Sequence, residues 1–128
     1  MKRRCNLNNL KLAILASIAA LPFEVVAVPE FGEGLELRVS VMSGAQRDAF
    51  ESQWRDVSKS NENLTNMGFG VCLLIHCVVD TEGVPVFGMN DFSQLMQLNS
   101  VVLGRLTKKA FALNKILTDT VEDAEKNS

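Results

Sequence analysis

Side-chain chemistry needs particular residue types at workable spacings, and Cys72, His76 and Cys77 are the first candidates in this chain. Cys72 and His76 stand four apart, so on a helix they share a face. A zinc site wants three or four ligands, and two are on offer. A Cys–His nucleophile pair needs a third group to orient the imidazole, and this run is apolar with no nearby acid. His76 adjoins Cys77, and no Cys-x-x-Cys spacing occurs. A histidine at the core boundary accounts for the stretch better than a hydrolase or metal protein, in which His76→Ala would abolish activity or metal binding. Asp48, Glu51 and Asp56 are carboxylates of the kind that flank a glycosidase cleft. Arg47 and Arg55 are interleaved with them, which is the pattern of a solvated helix face. Gly32-Glu-Gly34 and Gly68-Phe-Gly70 do not continue into a phosphate-binding loop. Lys108, Lys109 and Lys115 suit a helix C-terminus and are too few to argue for nucleic acid. No catalytic, cofactor-binding or metal-binding residue is expected.

Apolar surface is the remaining resource. Phe50, Trp54, Met67, Phe69, Met89, Phe92 and Met96 belong to the types enriched at protein–protein contacts. Phe50, Trp54, Phe92 and Met96 are the candidate contact residues.

These side chains must be positioned by the elements of a 128-residue chain with 47% hydrophobic and 22% charged residues. That composition fits one globular domain and excludes disorder and fibres. Net charge is −2, with no Tyr, one Trp and one His. The chain as a whole lacks a nucleic-acid footprint and a broad acid–base inventory.

Charge is uneven. Residues 1–20 hold Lys2, Arg3, Arg4 and Lys11 and no acid. An apolar run from Leu12 to Phe23 follows, with small residues near Ala27. That matches a secretory signal peptide, and it is too short to span a bilayer. Leu10, Ile14, Leu15, Ile18 and Leu21 also repeat as one face of a helix that Pro22 would stop. Cleavage near Ala27 would leave Cys72 and Cys77, which are too far apart to bond on a strand and diverge on a helix. Reducing cytosol suits the chain better.

Glu24–Val28 and the alternating run Leu35–Val41 predict a β-hairpin around the 30–34 turn. Ser43 and Gln46 form a capping box for an amphipathic helix carrying Phe50, Trp54 and Val57. Ser58–Thr65 reads as a polar linker. Met67–Val79 is so uniformly apolar that periodicity leaves helix and strand both open. Asp80–Gly83 is a turn, and Pro85 confines Val84–Phe87 to a sheet edge. Asn90 or Asp91 would cap a helix through Phe92, Leu95 and Met96. Ser100 would cap a last helix striped by Val102, Leu106, Ala110, Leu113 and Leu117. Residues 118–128 read as a polar, acidic tail.

The order of these pieces resembles the tail assembly chaperones of siphophage-type phages and prophages. The carrying residues begin with a short first helix and the hairpin Val26-Ala27-Val28-Pro29-Glu30-Phe31-Gly32, followed by Leu35–Val39. Next come Arg47-Asp48-Ala49-Phe50-Glu51 and Cys77-Val78-Val79-Asp80, with Gly83, Val86 and Phe87 after them. Asn90-Asp91-Phe92 and Leu113-Asn114-Lys115-Ile116-Leu117 complete the set, which covers roughly residues 13–117. Lys115 stands where the family commonly has Gly, and Gln94–Leu98 is less charged than usual.

The resemblance makes Leu12–Ala20 a first helix and Cys77–Asp80 the end of a helix rather than a strand. It implies a non-enzymatic protein that coats the tape measure protein, keeps its apolar helices soluble and recruits tail tube subunits. Some relatives also have a frameshifted, longer form. The expected fold is α+β: a mostly helical single domain over residues 1–117, with an N-terminal β-hairpin on a small bundle and a tail over 118–128. Expected partners are the tape measure and tail tube proteins in the host cytoplasm. Self-association is possible, and neither nucleic acid nor membrane is expected as a partner. The alternative is a small exported binding protein whose residues 1–27 are a cleaved signal.

Overall fold

The computed structural model describes residues 2–60 and 66–116. The elements run α1 Lys2–Ala16, β1 Phe23–Ala27, β2 Glu36–Ser40, α2 Gly44–Ser60, α3 Asn66–Cys77, β3 Val78–Val79, α4 Phe92–Leu95 and α5 Ser100–Leu113. The tail expected at 118–128 and residues 61–65 of the expected linker lie outside the described residues. Residues 58–60 of that linker are instead the last turn of α2.

The antiparallel sheet has the order β1-β2-β3. The hairpin register pairs Phe23 with Ser40 and Ala27 with Glu36. Its loop closes through Val28 N–H to Leu35 O (2.9 Å) and Leu35 N–H to Gly32 O (3.0 Å). Gly34, at φ 76°, takes the left-handed backbone that L side chains avoid. Val26, Val28 and Val39 turn inward to the core.

Helix α3 is apolar all round, so it is stable only in the interior. It packs against α2, α4, α5 and β2. Val71 through Ile75 and Cys77 are buried along it. Gly70 permits the close approach of α5: a Cβ there would lie 2.6 Å from Thr107 Cγ2. The Gly68–Gly70 pair thus includes a packing glycine.

The helix-to-strand switch corrects one expectation. The helix ends at Cys77, and Val78–Val79 form a strand opposite Val39 and Arg38. β-branched residues suit that pleated, buried position. Asp80 then turns the chain as expected: its Oδ1 accepts from Glu82 N (2.8 Å) and Val84 N (3.0 Å). Pro85 makes an isolated bridge to Val79 at the sheet edge.

Caps supply two further corrections. Asn99, not Ser100, caps α5; its Oδ1 accepts from Val101 N (2.9 Å) and Val102 N (3.3 Å). An Asn carbonyl at that position satisfies two of the free N–H groups of the first turn. Asp91 does not cap α4 forward; its carboxylate reaches back to Gly88 N–H at 2.8 Å. Helix α4 is correspondingly one turn long. The expected box at α2 is present, with Gln46 N–H to Ser43 Oγ (3.1 Å) and Ser43 N–H to Gln46 Oε1 (2.8 Å).

The first helix is longer than expected, and a 3-10 turn over Ser17–Ala20 follows it before Pro22. Its apolar residues meet solvent: Leu7, Leu10, Leu12, Ile14, Leu15 and Ile18 are between 50% and 69% exposed.

Candidate functional site

The residues with chemical potential are placed in packing roles. Cys72 and Cys77 are buried and unpaired. Burial pushes the Cys72 thiol up to about 11 and the Cys77 thiol up to about 12, so neither supplies a thiolate near neutral pH. His76 is half-buried, its Nε2 is 2.6 Å from Gln53 Oε1, and its ring meets Phe50 edge-on at 5.9 Å. Burial holds its pKa below the usual 6.5. Among the described residues no group of three or more His, Cys, Asp or Glu is placed to hold a metal ion. Asp48 and Glu51 lie on the exposed face of α2.

What the fold builds is an aromatic groove. Phe50 and Trp54 are one turn apart on α2, so they share a face. Phe69 of α3 sits between them, 5.3 Å from the Phe50 ring and 5.2 Å from Trp54. Phe111 of α5 stacks on Phe69 at 5.8 Å and 15°. Phe50 is buried as the floor, while Trp54 is half-exposed. Arg47, Glu51, Arg55 and Ile116 complete a groove of about 500 Å³. Arg47 donates to Asn114 O (3.4 Å), and its Nε is buried with no hydrogen-bond partner among the described residues.

Phe92 and Met96 lie elsewhere, half-buried on and just after α4. Beside them Phe31, Phe87, Leu95 and Leu98 line an apolar cleft of about 290 Å³ with Asp91 and Gln94. The four candidate residues therefore fall into two pairs, Phe50 with Trp54 and Phe92 with Met96. Sequence reasoning missed Phe111, Phe31 and Phe87, because their neighbours are remote in sequence. It also missed the exposed face of α1. The absence of acids among its apolar residues was the available signal.

The hairpin is clamped to α5 at both ends. Arg105 forms two parallel bonds to Glu30 (2.9 and 2.6 Å), and Lys109 reaches Glu24 at 3.3 Å. The Arg105 hydrogen bonds hold the Glu30 carboxyl down at about 2. This fixes the Pro29-Glu30-Phe31 loop beside the apolar cleft.

None of the described helices is long and apolar enough to cross a membrane. The family model of phage tail assembly chaperones matches residues 9–127. The solved structure of the bacteriophage HK97 tail assembly chaperone is similar at 30% identity and a TM-score of 0.57, over 82% of this chain and 96% of that one. No curated protein matches. The family match spans the hairpin, the central apolar helix and the last helix together. On that basis the chain belongs to the phage tail assembly chaperones.

Proposed function

We propose that this chaperone binds the tape measure protein, keeps its apolar helices soluble and recruits tail tube subunits, without catalysis and in the host cytoplasm. The observation that carries the reading is α1 with its 3-10 extension. Six large apolar side chains there are at least half exposed. An apolar helical surface of this kind is a ready partner for amphipathic helices. Trp54 and the pair Phe92/Met96 offer further contact, while Phe50 is buried and supports Trp54 from beneath. Met adapts its shape to helices of varied register.

The test is co-purification with overlapping tape measure fragments. Binding is expected, and Ile14→Ser with Leu15→Ser should weaken it by about tenfold or more, the loss of a buried apolar pair. Fragments that never co-purify would sink the reading. Intact mass of the bacterially expressed chain is the companion measurement. A full-length soluble product agrees with the proposal, and one shortened near Ala27 and found outside the cytoplasm favours export.

A further inference from the structure

We infer that the groove lined by Arg47, Phe50, Trp54, Arg55 and Phe69 is occupied by the chain's own residues 117–128, so that a partner using Trp54 must displace them. Three observations converge on this occupant. The last described residue, Ile116, itself forms a wall of the groove. The chain therefore leaves the described structure at the groove. Lys115 directs that exit: its backbone is left-handed at φ 52°, and Ile116 N–H closes back on Phe111 O at 3.1 Å.

Charge is the second observation. Residues 117–128 read LTDTVEDAEKNS, with Asp119, Glu122, Asp123 and Glu125 against the single Lys126. The groove carries Arg47 and Arg55, and Lys108 and Lys115 are exposed beside the exit. Glu51 is the one acid on the rim. Arg47 lines the groove and is only half-buried, so its guanidinium is within reach of a docked carboxylate.

Pattern is the third. Leu117, Val121 and Ala124 recur at i, i+4, i+7, the spacing of one helical face, and the four acids fall between or beside them. An apolar stripe flanked by carboxylates complements an aromatic floor flanked by guanidiniums. Reach is no obstacle, since twelve residues span up to about 40 Å extended and about 18 Å as a helix.

Trp54 is the only tryptophan, so it reports the groove without labelling. The experiment compares acrylamide quenching and emission maximum of the full chain with the variant Asp119→Asn, Glu122→Gln, Asp123→Asn, Glu125→Gln. Circular dichroism checks that both chains are folded alike. The ratio of covered to uncovered groove should fall about tenfold, the combined loss of several exposed ion pairs. Quenching then rises and emission moves to the red. Arg55→Glu should do the same, and adding it to the four substitutions should change nothing further. About 1 M salt should reproduce part of the effect in the unaltered chain, because exposed pairs are screened. Identical quenching in all these chains would overturn the inference. So would quenching that changes on dilution, which would assign the groove to a second copy.

Discussion

Lys115 occupies a left-handed backbone position at the end of α5. A side chain with a Cβ is strained there by about 1–2 kcal/mol relative to glycine. Lys115→Gly should therefore stabilise the chain by about 1 kcal/mol in urea unfolding, some of the gain being lost to a freer unfolded chain. The preceding residue acts in the opposite sense. Asn114 Oδ1 accepts from Met42 N (2.7 Å), and its Nδ2 reaches Ser40 O, Cys77 Sγ and Ala110 O. One amide thus ties the ends of β2, α3 and α5. Asn114→Ala should cost about 2–3 kcal/mol, because several partly buried groups lose their partner at once. His76 gives a pH signature. Its folded pKa lies below 6.5, so the unfolded chain binds more protons as pH falls below that value. Stability is full above 6.5 and declines as pH falls below it. His76→Gln, which keeps an amide facing Gln53, should flatten that decline. Equal slopes for both chains would refute the assignment. Glu30 acts in a lower window: its stabilisation is present above 4.5 and disappears as pH falls from 4.5 toward 2.

At the scale of elements, contact between α3 and α5 depends on Gly70. Gly70→Ala sets a methyl group 2.6 Å from Thr107 Cγ2 and should destabilise the fold by about 1–3 kcal/mol, the usual cost of overpacking. Thr107→Ala should return part of that loss in the double variant, and strict additivity would show that the two sites do not touch. The same contact shows what the sequence could disclose. The Ser43–Gln46 box and the Asp80 turn were legible because all their partners lie within four residues. The hairpin was legible because its alternation and its turn agree. Gly70 had no role in the sequence once a phosphate loop was set aside, since its reason is a side chain thirty-seven positions away. Val78–Val79 read as a helix end because only Arg38 and Val39, equally remote, make them a strand. The aromatic groove was half legible: Phe50 and Trp54 share a helical period, whereas Phe69 and Phe111 join them only through tertiary packing.

For the whole molecule, the core and the apolar N-terminal helix are separate assets. Helix α1 buries none of its described side chains, so Leu12→Ser with Ile14→Ser should shift the stability of the dilute chain by no more than about 0.5 kcal/mol. A large loss would mean that the helix packs on the body after all. The family and the α+β architecture followed from the order of local pieces, each set by its own residues. The exposure of α1 did not, because a helical apolar period says which side chains share a face and nothing about what covers it. The two sealed thiols give the molecule a property of a different kind. Cys72 and Cys77 have no measurable exposure, and their pKa values suppress the reactive thiolate. In a Cys5→Ser background, a thiol-specific dye can react only when the interior opens, so labelling counts excursions from the native state. Lys115→Gly should slow it about fivefold if those excursions are global, the factor that corresponds to 1 kcal/mol. Labelling that ignores Lys115→Gly would show that local openings reach the thiols while the end of α5 stays in place.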